Sequence, residues 1–176
     1  MDDLRAPQAP WPDDEFVDYA QARQHTLLRA AYLVSGDLRL AEAIVRSALV
    51  QLGRQWDRVR EEQPDLFVRR LVYRDAIDSW RHRPPEQVAA PAWDGPDEPW
   101  DTEEVERRRE VLQALDALTP RQRAVVVLRW FEERAEPEVA DVLGCSVGAA
   151  HTEGVQALGL LRAALPRADL GTGGVR

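Results

Sequence analysis

Several residue types and patterns are scarce in this chain of 176 residues. Cys145 is the only cysteine, which excludes an intrachain disulfide and any zinc site built on several cysteines. No apolar run approaches the roughly 20 residues that a membrane span needs. The acidic N-terminus also lacks the apolar stretch of a signal peptide. We therefore expect a cytoplasmic protein with no membrane partner.

Patterns that support catalysis or cofactor binding are also missing. The histidines, His25, His82 and His151, lie far apart in the sequence and show no arrangement with a carboxylate or a nucleophile. There is no glycine-rich loop of the kind that cradles phosphate and no metal-ligand spacing. We predict that the protein is not an enzyme and uses no cofactor and no metal.

Lysine is absent, so all 23 basic residues are arginine. We interpret this as a result of genomic base composition rather than of function. The net charge of −8 has the opposite sign to that of a typical nucleic-acid binder. Nine carboxylates against three arginines give residues 84–110 a charge of −6. The acidity is therefore concentrated in one segment, and the sum does not describe the rest of the chain.

What the chain does contain is helical periodicity, which predicts an all-α fold of two small domains. We expect the first domain over residues 14–83 and the second over residues 103–165. Residues 84–102 between them are rich in proline and acid and have no period, which is typical of a flexible linker. We expect residues 1–13 to be disordered and residues 166–176 to be a frayed tail.

Capping signals divide these domains into helices. In the first domain we expect helices over residues 14–34, after Asp37 as N-cap, and over residues 65–82. In the second, Thr119 and Pro120 read as an N-cap followed by proline at the first helical position, and the helix that they begin is expected to continue through Phe131. No strand is predicted.

Residues 136–165 have the form of a helix-turn-helix. Pro137 suits the first turn of a helix, Gly144 stands where a helix end requires positive φ, and Ser146 can cap the next helix. Taken alone, the same pattern also fits an ordinary αα-hairpin in a bundle. The spacing therefore indicates DNA binding and leaves the hairpin open.

The second helix of this unit carries little charge. From Cys145 to Leu161 the only formal charge is that of Glu153. Because each phosphate contact adds affinity by releasing counterions, a helix without cations should bind duplex DNA weakly. Gly154 and Gly159 each cost the helix up to about 1 kcal/mol relative to alanine.

The amino-acid sequence resembles that of a known family over roughly residues 14–165. The stretches that carry the resemblance in the first domain are LLRAAYLVSGDLRLAEAIV, FVRRLV and SWRHR. Those in the second are LTPRQRAVVVLRWFEE and EVADVLGCSVG. With this order of domains and linker, the chain resembles the extracytoplasmic-function branch of the sigma-70 transcription initiation factors, and within it the small actinobacterial SigE-like group.

The resemblance implies a mechanism and partners. The first domain would correspond to sigma region 2, bind the RNA polymerase clamp and open the −10 promoter element. The second would correspond to sigma region 4 and read the −35 element in the major groove. The linker would run along the polymerase channel. The implied partners are core RNA polymerase and promoter DNA, and an anti-sigma or other regulatory protein is left open.

The resemblance and the residue chemistry together name candidate site residues. In the first domain, arginines can hold phosphate and Trp80 can stack an unpaired base, although a solvated face and a core tryptophan are the alternatives. The DNA-binding candidates are Arg69, Arg70, Arg74, Trp80, Arg81, Arg83, Ser146, Gly148, Ala149, His151, Thr152, Glu153 and Gln156. The polymerase-binding candidates are Asp37, Glu42, Ile44, Val45, Arg46, Arg121 and Arg123.

The chain departs from the family pattern at several of these positions. Ala43 and Arg46 stand where an acidic residue and glutamine are usual, Arg74 where asparagine is usual, and His151 where lysine is usual. Because of these departures, two alternatives to a promoter-reading sigma factor stay open. One is a diverged sigma-like regulator that lacks independent −35 recognition. The other is a protein-interaction adaptor that uses the helical domains and the tryptophan-bearing linker.

Overall fold

The computed structural model describes residues 14–80, 110–111 and 113–165. Within these ranges every regular element is helical, which confirms the predicted all-α class. None of the described helices combines the length and the apolar character that a bilayer crossing requires. The segments predicted to be disordered, linking or frayed, residues 1–13, 84–102 and 166–176, lie outside the described residues.

Eight helices are described, and we number them in chain order. The first block contains α1 (Asp14–Ser35), α2 (Leu38–Gly53), the single turn α3 (Trp56–Val59) and α4 (Pro64–Ser79). The second block contains α5, which comprises the helical residues 110–111 and 113–116, α6 (Pro120–Val126), α7 (Glu136–Leu143) and α8 (Val147–Ala164).

Local capping explains where the helices begin. Gly36, with φ of 71°, ends α1, and the Asp37 carboxylate accepts a hydrogen bond from the Leu40 amide at 2.9 Å to start α2. At the start of α6 the Thr119 hydroxyl accepts from the Gln122 amide at 3.2 Å. The Gln122 side chain in turn accepts from the Thr119 amide at 3.1 Å. This is a complete capping box, which satisfies two otherwise unpaired amides.

The end of α6 differs from the prediction of one continuous helix through Phe131. After Val126 the chain forms a π-helical turn, Val127–Phe131, and the Glu132 amide donates to the Val127 carbonyl at 2.9 Å. Glu133 then has φ of 55°, a left-handed conformation that is uncommon for a residue other than glycine. Wide turns of this kind often occur at functional sites, and here the turn delivers the Glu132 side chain to α4.

The core joins the two blocks that were predicted as separate domains. One buried apolar cluster includes Leu27 and Val72 from the first block and Leu128 and Val139 from the second. Helix α1 contacts α6 and the π-helical turn, and α4 contacts both α6 and α7. In this arrangement the blocks pack as one body, so the surfaces between them are covered.

A smaller cluster completes the second block. It is formed by Ala114, Leu115, Leu118, Ala157 and Leu161. It fixes α8 against α5 and the turn that precedes α6, and thereby sets which face of α8 is turned outward.

Candidate nucleic-acid interface

The predicted helix-turn-helix is present as α7, a short turn and α8. Gly144 takes the left-handed conformation, with φ of 60° and ψ of 45°, and the Cys145 amide donates to the Ala140 carbonyl at 3.0 Å. The Ser146 hydroxyl then accepts from the Ala149 amide at 3.1 Å. A left-handed glycine followed at once by a serine cap allows two helices to meet with very few connecting residues.

Helix α8 has one buried face and one outward face. Ala150, Gly154, Ala157 and Leu161 are buried. At 3.6 residues per turn, Thr152 lies almost opposite this buried face. The exposed residues on the first turns of α8 include most of the predicted DNA-binding set: Gly148, Ala149, His151, Thr152 and Gln156.

Glu153 lies at the edge of the outward face and is half-buried. The structure therefore moves the centre of the candidate DNA-reading surface to Thr152. The one formal charge between residues 145 and 161 flanks that surface rather than occupying its middle.

The polar groups on this face already have partners within the protein. His151 Nδ1 lies 3.0 Å from Glu136 Oε1, and the Thr152 hydroxyl donates to the Gly148 carbonyl at 2.9 Å. Gln156 accepts from Gln122 at 3.4 Å. Any of these side chains must exchange an internal bond for a contact with DNA, which lowers the net gain from each contact.

The arginines predicted on α4 are placed differently from one another. Arg69 was expected to face phosphate, but it is only 4% exposed. Its Nε donates to Glu132 Oε2 at 2.6 Å, and its Nη1 lies 2.8 Å from Asp65 Oδ2. Its charge is neutralised between the two blocks, so in this arrangement it cannot reach DNA.

Arg70 and Arg74 remain on the surface. Arg70 Nε donates to the Asp141 carbonyl at 2.8 Å, and Arg74 Nε pairs with Asp75 at 2.9 Å. The predicted partners Arg81 and Arg83 lie outside the described residues. The described part of the predicted cluster is therefore one buried arginine and two exposed ones, and DNA contact by each stays a prediction.

Trp80 lies at the junction of the blocks. Its indole Nε1 donates to the Val34 carbonyl at 3.0 Å, and the Arg123 guanidinium carbon lies 4.6 Å from its ring centroid. This ring face is occupied by a cation–π contact, as expected of the packing alternative rather than of a free platform for a base. Its stacking on DNA stays a prediction.

The polymerase-binding candidates on α2 fall into two groups. Glu42 and Arg46 are exposed. Ile44 and Val45 are buried in the core, and Asp37 is the N-cap of α2. Glu42 and Arg46 therefore extend into solvent, Ile44 and Val45 pack beneath them, and Asp37 is half-buried. Polymerase contact by each stays a prediction.

The two candidates on α6 also separate. Arg121 is half-buried at the surface, whereas Arg123 is 1% exposed. The Arg123 Nη2 donates to the Leu115 carbonyl at 2.7 Å and to Asp116 Oδ1 at 2.7 Å. Arg123 thus fixes α5 to α6, a role that its sequence position did not indicate.

Sequence reasoning missed a buried carboxylate, Glu132, that lies between the two blocks. The Glu132 side chain is only 2% exposed, and it accepts from Arg69 and, at 2.7 Å, from the Tyr73 hydroxyl. These partners are 63 and 59 residues away along the chain. No local pattern connects them, so no sequence signal could have identified the cluster.

The electrostatics of this cluster keep its members in complementary protonation states. Burial, reinforced by Glu132, raises the pKa of the Tyr73 hydroxyl well above its ordinary value, so Tyr73 remains a donor. Burial acts to raise the pKa of Asp65, but the Tyr19 hydroxyl and the Arg69 guanidinium outweigh it and hold that pKa below its ordinary value. The carboxylate is therefore charged.

The described residues are all-α and include a capped helix-turn-helix with the outward face of its second helix exposed, which is the architecture of a helix-turn-helix DNA-binding protein. The Sigma-70, region 4 family matches residues 108–161. The RNA polymerase sigma-E factor of Streptomyces avermitilis is 35% identical over 159 residues, which cover 89% of this chain and 88% of that protein. The sigma-E factor of Streptomyces coelicolor is 33% identical over 159 residues, 89% of each chain. This chain therefore belongs to the extracytoplasmic-function branch of the sigma-70 family, with the sigma-E factors.

Solved structures share the fold. The sigma factor RpoE of Bartonella quintana, in complex with the anti-sigma factor NepR, has a TM-score of 0.65 at 18% identity, over 88% of this chain and 99% of that one. CnrH in complex with the cytosolic domain of CnrY has a TM-score of 0.62 at 22% identity, over 86% of this chain and 87% of that one. The predicted resemblance is confirmed. Sigma factors are transcription initiation factors and not enzymes.

Proposed function

We propose that this protein directs core RNA polymerase to a restricted set of promoters in the cytoplasm. Its partners are core polymerase and promoter DNA, and an anti-sigma protein is a further candidate partner. The observation that carries the proposal is the capped α8, whose first turns present an exposed face in a chain of the sigma-70 family. Such a helix fits the major groove, which admits one α-helix.

In this proposal α8 reads the −35 element with little help from charge. Its outward residues are small or neutral, so contacts with base edges and close approach to the backbone replace ion pairs with phosphate. Because phosphate contacts supply most of the salt-dependent affinity, α8 binds weakly alone. Polymerase therefore supplies most of the energy that places it on DNA.

The first block supplies the −10 and polymerase contacts. Arg70 and Arg74, both exposed on α4, reach phosphate. Glu42 and Arg46, exposed on α2, belong to the polymerase-docking face. Buried residues such as Arg69 take part only after the blocks separate.

A second candidate function is favoured by the low charge of α8. A sigma-like regulator that binds polymerase but does not read a −35 element needs no cation on this helix. It would compete for polymerase or act with a partner that provides DNA affinity. Polymerase binding is common to both candidates, and promoter-specific initiation separates them.

The test is reconstitution of the full chain with core RNA polymerase from an actinobacterium, followed by transcription of genomic DNA fragments. Initiation at defined start sites supports the first function, and polymerase binding without initiation supports the second. A chain that does not bind polymerase at all would refute both. Thr152→Glu, on the outward face of α8, should lose −35-dependent initiation. The matched control Thr26→Glu, at an exposed position of α1, should retain it.

A further inference from the structure

At the junction between the two blocks, a buried carboxylate of the second block is bound by side chains of the first block. Glu132 follows the π-helical turn of the second block, and its two oxygens accept from Arg69 at 2.6 Å and from Tyr73 at 2.7 Å, both on α4. Tyr73 is 1% exposed. A charge-assisted hydrogen bond of this length in a water-excluded site is among the stronger polar contacts in proteins.

A second layer of contacts surrounds Glu132 and also crosses the junction. Arg134 Nη2, in the second block, lies 3.7 Å from Asp65 Oδ2 on α4. Arg70, also on α4, donates to the Asp141 carbonyl of α7. Asp65 is itself held within the first block by the Tyr19 hydroxyl at 2.8 Å. The polar contacts therefore connect α4 to the segment between the π-helical turn and α7, and to α7 itself.

The closed arrangement is incompatible with simultaneous contact at two promoter elements. On the proposed function, the blocks must reach the −10 and −35 elements, about 25 base pairs or roughly 85 Å apart at 3.4 Å per base pair. A compact body of the size described has a radius of gyration of roughly 14 Å. It cannot span that distance, so the blocks must separate before both elements are engaged.

The same contacts cover a predicted DNA-binding side chain. Arg69 would hold a phosphate with the guanidinium that Glu132 and Asp65 now occupy, and carboxylate and phosphate oxygens suit that planar group equally. Glu132 thus stands in the place that a phosphate would take. Closure and DNA contact at Arg69 exclude each other.

We propose that Glu132 is an intramolecular latch: by binding Arg69 and Tyr73 it holds the two blocks closed, and its release is a step in the engagement of polymerase and DNA. The free chain rests in the closed state. Polymerase, which binds the blocks apart, shifts the population to the open state by its higher affinity for that state. The role of the latch in binding polymerase and DNA rests on the proposed function, whereas the closed contact itself does not.

The first experiment measures closure without polymerase or DNA. In a Cys145→Ala background, Val50→Cys on α2 and Leu160→Cys on α8, both at exposed positions, carry a donor and an acceptor dye for single-molecule energy transfer. The parent should show mainly high transfer. Glu132→Gln, which keeps the shape but removes the charge, should raise the ratio of open to closed molecules about tenfold, within the usual range of such couplings.

The matched control is the next residue. Glu133→Gln removes the same charge from an exposed position and should behave as the parent does. Tyr73→Phe removes only one hydroxyl and should raise the open fraction less than Glu132→Gln does. It also keeps the test decisive if circular dichroism shows that Glu132→Gln has lost helix. A parent that is mainly open, or a Glu132→Gln distribution equal to that of Glu133→Gln in a folded chain, would overturn the latch.

The second experiment measures capture of core RNA polymerase by the same variants. Glu132→Gln should half-saturate the polymerase at a concentration several-fold lower than the parent and Glu133→Gln, because less of it is closed. Opening without improved capture would overturn the gating role and leave the proposed function standing. If no variant bound polymerase, opened variants included, the proposed function would be wrong, while the energy-transfer result would still decide whether the latch exists.

Discussion

Thr152→Arg is the substitution that most directly tests whether α8 faces DNA. Thr152 lies at the centre of the exposed face, opposite the buried Ala150 and Ala157. The change removes one bond from the threonine hydroxyl to the Gly148 carbonyl, of a kind that slightly destabilises helices. Arginine also has a higher helix propensity than threonine. The fold should therefore tolerate the change.

The expected size of the effect follows from counterion release. One added phosphate contact should steepen the slope of log K against log salt by about 0.9. Between 0.2 and 0.05 M salt this adds a factor of about 3.5 to the gain in affinity. In the parent, α8 should add little to the slope, because residues 145–161 have no lysine or arginine.

The assay is fluorescence anisotropy of the full chain with a labelled duplex of random sequence over a salt series. Thr26→Arg is the matched control, since it places the same charge at an exposed position of α1. If Thr152→Arg and Thr26→Arg have equal affinities and equal slopes, α8 does not face the duplex, and the proposed −35 role is wrong.

Three further predictions concern stability, each measured by denaturant unfolding of the full chain. Gly144→Ala should destabilise by about 1–2 kcal/mol, because φ of 60° is strained for a residue with a Cβ; an unchanged midpoint would contradict the left-handed turn. Gly154→Ala should stabilise by up to about 1 kcal/mol through helix propensity, because the new Cβ would lie 3.5 Å from Val125 and 3.6 Å from Trp130, at ordinary contact distance; a loss of stability would mean that this contact is tighter than described. The lowered pKa of Asp65 should give stability that is present above the ordinary aspartate value of about 3.9 and lost as the pH falls through the lower folded value. Asp65→Asn should flatten that acid dependence, and an unchanged pH profile would show that Asp65 is not stabilised in the fold.

The placement of Arg69 changes how a sigma-like arginine cluster is interpreted. By pattern it belongs with Arg70 and Arg74 on a basic surface, yet it is the member that is buried. Burial acts to lower the pKa of Arg69, but its carboxylate partners Glu132 and Asp65 outweigh burial and raise that pKa above its ordinary value. The charge of an arginine therefore does not show whether its side chain binds a carboxylate within the protein or a phosphate of DNA.

The sequence by itself determined the local structure and the family. Caps and turns act over three or four residues: Asp37 bonds Leu40, Thr119 bonds Gln122, and Ser146 bonds Ala149. Such signals can be recognised in the sequence because both hydrogen-bond partners lie within one helical turn. For the same reason the helix-turn-helix was predictable, with its glycine and its serine in the right places.

Only the tertiary structure decided which polar groups are free. Glu132 meets Arg69 and Tyr73 across 63 and 59 residues of chain, and the π-helical turn that delivers it has no signature in the residue pattern. Arg123 is buried by α5 and Trp80 rather than by its own helix. Burial and ion pairing depend on how two elements pack together. Whether a charged side chain on one helix is exposed is therefore determined by the helix that packs against it.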